Sequence, residues 1–405
     1  MSWSLILAVA LVIIAAPVLT AVILIISATL RKRRKPIQGF PYLRLDELQV
    51  SDNGVRVYSH GRELYDAMIA AIEYAKESIY LESFIFKGDA VGSDFKKHLI
   101  AKAEQGVAVY IIYDGFGNLV VPRRFKRFPK SVHTLKYYSI RRPWHLLDPR
   151  RYVVNHRKLL VIDGHIAFIG GYNIGSLYAT DWRDTHLRIR GPAAADLAFS
   201  FASFWNHRGP RSSPITRHYP RHFDSQVEIW TTDAVRLSFP IRNMYIKAIE
   251  RAEKRIMLTN AYFVPDRNLF NALRAAAKRG VRVEVLVPWT SNHVIVDWLA
   301  RGYFGRCLRA GISVYGYKKA MIHAKTCTID GQWSTIGTAN LDRLSSVGNY
   351  EINAEVYSAG LAQQMEDLFA CDKTNSFEIT PEFWKARPWY AKLGETIIQP
   401  LRFLV

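Results

Sequence analysis

The sequence predicts an α/β protein made of two duplicated halves behind an N-terminal transmembrane helix, and three observations carry that prediction. Residues 155–173, NHRKLLVIDGHIAFIGGYN, return at 322–340 as IHAKTCTIDGQWSTIGTAN. His156 and His323 stand 167 positions apart, and the same offset links Lys158 to Lys325, Asp163 to Asp330, Gly170 to Gly337, Asn173 to Asn340 and, beyond the motif, Asp184 to Glu351. Apolar β-rich runs alternate with stretches of helical periodicity in both copies, the rhythm of a sheet with helices on its faces. Finally, residues 1–30 carry no charged side chain and are dominated by Leu, Ile, Val and Ala.

As a helix those thirty residues would run roughly 45 Å, more than the ~30 Å hydrocarbon core of a bilayer. Pro17 falls inside the run, where membrane helices tolerate it. No Lys or Arg precedes the run, unlike the basic start of a cleaved signal peptide. The charge follows instead, as Arg31-Lys32-Arg33-Arg34-Lys35, which the positive-inside rule keeps cytoplasmic. The expectation is a single-pass anchor in the cell membrane with the catalytic part cytoplasmic. A re-entrant hairpin broken at Pro17 is the alternative. The divisions expected are an anchor at 1–30, a basic juxtamembrane linker at 31–52, a first half at 53–215 and a second at 216–405.

Along the first half, helical periodicity over Arg62–Lys76 precedes a β-rich run, Ser78–Phe86, and Asp94–Gln105 precedes a buried strand, Val107–Asp114. This framework also recurs. Ala71–Phe86 aligns with Ala248–Phe263 at an offset of 177, and Lys102–Asp114 with Ala276–Pro288 at 174. The offset drifts between motifs and is constant inside them, because loops change length freely while a site cannot. Between Phe116 and Arg151 ten Lys/Arg face one acid, Asp148. This segment predicts a membrane-facing patch, with Phe125, Phe128, Trp144, Leu146 and Leu147 at the interface and the arginines on lipid phosphates. The Pro-, Ser- and His-rich stretch His207–Gln226 marks the boundary between halves. The tail Trp384–Val405 reads equally as an interfacial helix or as core packing.

The repeated motif carries the chemistry. Alternation in HRKLLVID puts His156 and Lys158 on one face of a strand, and Asp163-Gly164 reads as a tight hairpin turn before IAFIGG returns. The second copy does the same with His323, Lys325 and Asp330. Face to face, the halves bring two imidazoles, two ammonium groups and two amides around one cavity. Lys158, Lys325, Asn173 and Asn340 can donate to the non-bridging oxygens of a phosphodiester, where transition-state charge collects. One histidine attacks phosphorus while the other protonates the departing alkoxide. Asp184 and Glu351, each eleven residues past its asparagine, are the candidates to fix the imidazole tautomers. No second His or Cys lies at zinc-ligand spacing, and the chemistry calls for no metal or other cofactor.

The formal net charge of +20 implies an anionic partner, whether nucleic acid, membrane surface or phosphorylated substrate. Cys307, Cys327 and Cys371 are odd in number and form no CxxC pair, which argues against a disulfide framework. Cys327, inside the second motif, is expected to pack rather than react.

Two HxKxxxxD motifs with a downstream GxxN resemble the signature of the phospholipase D superfamily. GGYNIG at Gly170–Gly175, WRDTHLRIRGPA at Trp182–Ala193, NAYFVPD at Asn260–Asp266 and IGTANLDRLSSVGNYEINAEVY at Ile336–Tyr357 are most similar to bacterial cardiolipin synthases. The resemblance implies two fused, pseudo-twofold α-β-α halves with the active site at their seam. It implies catalytic roles for His156, Lys158, Asp163, His323, Lys325 and Asp330, with His156 as the nucleophile of a ping-pong phosphatidyl transfer through a phosphohistidine. The expected substrate is phosphatidylglycerol on an anionic membrane surface, two molecules giving cardiolipin and glycerol; no nucleic acid is expected. Water in place of the lipid alcohol would make the same site a phospholipase D-type hydrolase, and a nuclease is the remaining alternative.

Overall fold

The computed structural model describes residues 39–140, 153–220, 224–233 and 235–404, together with residues 19, 22, 23, 26, 144 and 222. Its first half contains β1 (Leu48–Val50), β2 (Asn53–Tyr58), α1 (Gly61–Tyr74), β3 (Ser78–Ser83), α2 (Ala90–Glu104), β4 (Ala108–Asp114), β5 (Val132–Tyr137), β6 (Leu159–Ile162), β7 (Ile166–Gly170), α3 (Ser176–Thr180), β8 (Trp182–Arg183), β9 (His186–Arg190) and α4 (Ala194–Arg208). The second contains β10 (Val227–Thr232), α5 (Pro240–Arg251), β11 (Arg255–Asn260), α6 (Arg267–Lys278), β12 (Arg282–Pro288), α7 (Val294–Arg309), β13 (Ser313–Tyr317), β14 (Met321–Ile322), β15 (Lys325–Ile329), β16 (Trp333–Gly337), α8 (Arg343–Val347), β17 (Glu351–Tyr357), α9 (Ala359–Thr374), β18 (Ser376–Glu378), α10 (Pro381–Lys385) and α11 (Trp389–Ile398).

The duplication is visible in the strand order. One sheet runs β1-β2-β9-β7-β6-β3-β4-β5 and the other β10-β17-β16-β15-β11-β12-β13-β18. Leaving out β1 and β18, the same seven-strand order appears twice. In both, three neighbouring strands are parallel, β3-β4-β5 and β11-β12-β13, joined through helices except between β4 and β5, where residues 115–131 cross over as turns. The hairpins β6-β7 and β15-β16 are antiparallel and continue the sheet from its centre. Parallel strands need a long crossover connection, usually a helix, whereas antiparallel neighbours need only a turn.

Those turns explain the motif's aspartate and glycine. Asp163 and Gly164 have φ of 54° and 71°, and Asp330 and Gly331 have 55° and 69°, a left-handed pair at the centre of each turn, which His165 N–H to Ile162 and Gln332 N–H to Ile329 close within three-residue connections. Each aspartate side chain then binds a neighbouring strand entry. Asp163 accepts from the backbone N–H of Lys76, Glu77 and Ser78 at 2.8–2.9 Å. Asp330 accepts from Glu253, Lys254 and Arg255 at 2.7–2.9 Å.

The halves close on each other through one apolar cluster at the seam, in which Val161, Ile169 and Leu187 pack with Ile336, Ile352, Ala354 and Met365. The first half packs its helices α1 and α2 on the opposite face of its sheet, and the second half does the same with α5, α6 and α7. The tail helix α11 lies on α7: a Cβ added at Gly394 would sit 3.3 Å from Trp298, Ile398 is buried, and Trp389 and Tyr390 are exposed. Cys327 is buried in the second half's core.

Two expectations need correction. Among the described residues no helix is long and apolar enough to cross a membrane, so the fold class stands as two α/β halves without the predicted transmembrane helix. An uncharged run reports apolar composition, not a continuous helix, and nearly all of residues 1–30 lie outside the described residues. The 116–151 segment also differs from a free interfacial patch. Phe125 and Phe128 are half-buried against the first half's core, with the Lys96 ammonium 5.1 and 4.5 Å from their ring centres. Trp144 is exposed as expected, Phe116, Leu119, Val120 and Ile140 are exposed as well, and Leu146 and Leu147 lie outside the described residues.

Because each turn aspartate accepts three backbone hydrogen bonds as a carboxylate, Asp330→Ala should cost roughly 3 kcal/mol of stability. Denaturant unfolding checks this, and turnover of the folded fraction should change little. A variant of full stability that had lost turnover would return Asp330 to the chemistry.

Candidate active site

The site forms where each motif leaves its own sheet and pairs with the other half. Asn155 bridges Tyr350 in parallel, and the β14-β8 pairing joins Ile322 to Arg183. These contacts are dyad mates, since 155 and 322, like 183 and 350, differ by 167. The His156 N–H donates to the Tyr350 carbonyl at 3.0 Å, and the His323 N–H to the Arg183 carbonyl at 2.7 Å. Strict alternation along one strand was the expectation. In fact β6 begins at Leu159, so His156 and Lys158 precede the ladder, and the opposite half holds the His156 backbone.

This stitching crosses the carboxylates. His156 of the first half donates through Nδ1 to Glu351 of the second, with both oxygens at 3.0 Å. His323 of the second half donates through Nδ1 to Asp184 of the first at 2.6 Å. A carboxylate only accepts, so each Nδ1 carries the proton and each Nε2 is left with its lone pair. The two carboxylates are braced differently. Glu351 accepts from the Thr338 hydroxyl at 2.5 Å. Asp184 accepts from the Thr185 N–H at 2.7 Å and lies over Gly171, where a Cβ would come within 2.1 Å of its oxygen. The shorter acid thus needs the glycine at the position that Thr338 fills in the second copy.

Lys158 and Lys325 are almost fully buried, and each folds back to donate to the carbonyl of its own motif histidine, Lys158 at 2.6 Å. Burial brings the Lys158 ammonium down to about 7, with Glu351 opposing and Lys325 reinforcing. Burial brings Lys325 down to about 8, against the pull of Asp184 and Glu351. For Lys158 this makes loss of the proton easier by on the order of 5 kcal/mol, a bias that a bound anion removes. Burial also lowers both imidazoles, and His323 falls furthest because Lys325, Lys158 and His156 add positive charge around it. Burial raises the Asp184 carboxyl. The two half-sites therefore share one electrostatic cluster.

Asn173 accepts from the Ile85 N–H at 3.0 Å, which fixes its amide beside the first motif. Asn340 is buried, and among the described residues its Oδ1 has no hydrogen-bond partner. Aromatic rings wall the pair: Phe84 lies 5.0 Å from His156, and Trp182 and Tyr262 lie 5.2 and 6.0 Å from His323, centre to centre. The imidazole side chains keep only 11% and 5% exposure, so solvent reaches them through a narrow mouth.

The structure thus gathers His156, His323, Lys158, Lys325, Asp184 and Glu351, with Asn173 and Asn340 ending the return strands. It does not bring Asp163 or Asp330 to them. Each turn lies five residues past its lysine, ~16 Å along an extended strand. Thr338, Gly171 and the aromatic walls were not singled out in the sequence; the contrast of Gly170-Gly171 with Gly337-Thr338 was the available signal. Among the described residues no group of three or more His, Cys, Asp or Glu side chains is placed to hold a metal ion.

Comparison with known proteins agrees with this geometry. Residues 68–205 and 245–373 match the family described as cardiolipin synthase, PLD-like domain. A cardiolipin synthase of Listeria welshimeri is 36% identical over 85% of this chain and 74% of its own length. The major cardiolipin synthase of Bacillus subtilis is 33% identical over the same shares. Phosphatidylserine synthase of Haemophilus influenzae shares the fold, with a TM-score of 0.67 at 14% identity over 90% of this chain and 95% of that one.

The depressed lysines set an alkaline limit. An ammonium loses its proton as pH rises through its lowered value, so kcat/KM, which reports the free enzyme, should fall with an apparent pKa near 7 to 8. Burial lowers His156, which as the expected nucleophile has to be neutral, and this places the acid limb below pH 6.5. Lys158→Arg keeps its charge and should move the alkaline limb upward. An unmoved limb would mean that these lysines do not set it.

Crossed histidine–carboxylate pairs over two buried lysines, at the seam of a duplicated chain that matches this family through both halves, place the protein in the cardiolipin synthase family of phospholipase D-like proteins.

Proposed function

We propose that this protein joins two phosphatidylglycerol molecules at a membrane surface into cardiolipin, releasing glycerol, with His156 as nucleophile. Phosphatidyl transfer on a phospholipid substrate comes with family membership; the identity of donor and acceptor and the division of roles between the histidines are our reading. The observation that supports it most is the crossed arrangement, which gives one phosphorus two imidazoles of fixed tautomer on opposite sides of the dyad.

In the first step the lone pair of His156 Nε2 attacks the donor's phosphorus, a P–N bond forms, and the P–O bond to glycerol breaks. The glycerol alkoxide takes its proton from His323. In the second, His323 removes the proton from the acceptor's glycerol hydroxyl, whose oxygen attacks phosphorus as the P–N bond breaks. Cardiolipin and neutral His156 result. Lys158, Lys325, Asn173 and Asn340 neutralise the phosphoryl oxygens throughout. The charges that lower His323 are cations, so an anionic phosphodiester beside them lifts it back toward the range where it can donate. Asp163 and Asp330 serve by holding the turns that aim the motif strands. The near-complete burial of the imidazoles favours a lipid alcohol over bulk water and so favours transfer over hydrolysis.

Purified protein in mixed micelles containing phosphatidylglycerol should make cardiolipin. His156→Ala should abolish both product and any covalent phospholipid adduct trapped by alkaline quenching. His323→Ala should slow turnover by about 10²–10⁴-fold while the adduct persists. Asp184→Asn should resemble His323→Ala more than His156→Ala, because its partner is across the dyad. Wild-type rates in both histidine variants would end the two-histidine account.

A further inference from the structure

The dyad is broken beside the catalytic centre by a cavity of about 560 Å³ in the second half, lined by Arg267, Arg306, Arg343 and Arg402 with Phe270 and Tyr303. Among the described residues none of these four arginines has a carboxylate partner. The one acid in the wall, Asp266, is already held by Arg242 at 2.7 and 2.9 Å. Arg306 lies 4.7 Å from the Phe270 ring centre and 5.0 Å from that of Tyr303, so its charge is presented over an apolar floor. Cationic groups around aromatic walls fit an anion carried on an apolar body.

The corresponding place in the first half is closed. Asp89 stands where the second half has Asp266, and it accepts from Gly92 N–H at 3.1 Å and Ser176 N–H at 2.7 Å. Ser176 occupies the position of Arg343. Phe125 fills the remaining space, its ring 3.0 Å from where a Cβ at Gly88 would lie. Duplication therefore supplied two equivalent places, of which one is plugged and one is open and cationic.

The open one adjoins the reacting groups. The Val264 N–H, in its wall, donates to the Leu341 carbonyl at 3.0 Å, directly after Asn340. Tyr262, whose ring packs on His323, is two residues from Val264, at most ~7 Å of chain. Asn340 Oδ1, buried and without a partner among the described residues, stands one residue before Leu341 and can accept from a hydroxyl.

We propose that this arginine-lined cavity holds the phosphodiester of the acceptor phospholipid, the phosphate that stays intact while its glycerol hydroxyl attacks the phosphohistidine. The inference rests on the transferase reading above and adds a place for the second lipid. The acceptor's phosphate sits among Arg267, Arg306 and Arg343, and its glycerol reaches past Asn340 toward His323. The hydroxyl proton passes to His323, the new P–O bond forms, and the P–N bond to His156 breaks.

Two reactions of the same enzyme separate donor from acceptor. Labelled free glycerol, which carries no phosphate, should enter phosphatidylglycerol by reversal of the first step. Cardiolipin synthesis needs the lipid acceptor. Arg306→Gln with Arg343→Gln, both exposed positions whose change leaves the core intact, should lower cardiolipin synthesis at least about tenfold with glycerol exchange near wild type. Arg306→Lys with Arg343→Lys should recover part of the loss. Equal loss of both reactions, or undiminished cardiolipin synthesis, would overturn the assignment. Absence of glycerol exchange in the unaltered enzyme would instead overturn the phosphohistidine reading. Added inorganic phosphate separates lipid from soluble anion: inhibition relieved by more phosphatidylglycerol supports the acceptor site, and inhibition that persists assigns the cavity to a free anion and overturns it.

Discussion

Everything in this protein's centre depends on two hydrogen bonds that each cross the dyad, His156 to Glu351 and His323 to Asp184. Neither half owns a complete histidine–carboxylate pair. A buried imidazole without a fixed acceptor has no fixed tautomer, and a buried carboxylate without a donor bears the full cost of desolvation. Each half thus leaves the other half's requirement unmet until the seam closes. The short parallel bridges at Asn155–Tyr350 and Ile322–Arg183 close it at the backbone, one residue from each catalytic group. Assembly of the seam and assembly of the site are the same event.

The same closure explains the lysines. Two ammonium groups under apolar and aromatic walls would be costly if they were only structural, and among the described residues neither is neutralised by a direct ion pair. Each donates to a backbone carbonyl instead, while Glu351 and Asp184 attract from a distance. The result is a centre short of negative charge at the place where a phosphodiester brings it. Binding energy is realised when the anion arrives and grows as charge accumulates in the transition state.

Much of this was legible in the residues, for identifiable reasons. The two DG turns, the paired strands and the constant offset are local patterns, and local patterns survive without knowledge of packing. The crossing was not legible: Asp184 and Glu351 sit at equal spacings from their own motifs, so spacing cannot tell a carboxylate that stays home from one that reaches across. The aspartates of HxKxxxxD illustrate the opposite trap, since repetition marked them alongside the histidines although their carboxylates bind the entries to β3 and β11. Phe125 and Phe128 read as interfacial because the surrounding arginines dominate their sequence, yet tertiary packing claims both rings. The apolar N-terminal run lies almost wholly outside the described residues, among which no helix is long and apolar enough to cross a membrane.

Pseudo-symmetry is therefore kept where chemistry needs two of a thing and relaxed where it needs one of each. Histidine, lysine and asparagine repeat because a phosphoryl group in transit is approached from both sides, and the turn aspartate repeats because both hairpins need it. The differences begin immediately outside them. Gly171 answers to Thr338, Asp184 to Glu351, and Ser176 to Arg343, and the first half carries the buried Glu82–Arg157–Asn155 network where the second has Thr259, Ala324 and Ile322. A transfer between two lipids is not symmetric in time: one molecule gives up its alcohol before the other offers one. A site with identical halves would hold donor and acceptor equally on both sides and favour the futile return of the first alcohol. Unequal surroundings for equal catalytic groups give each lipid its own side while the phosphorus sees the same pair of imidazoles in both steps.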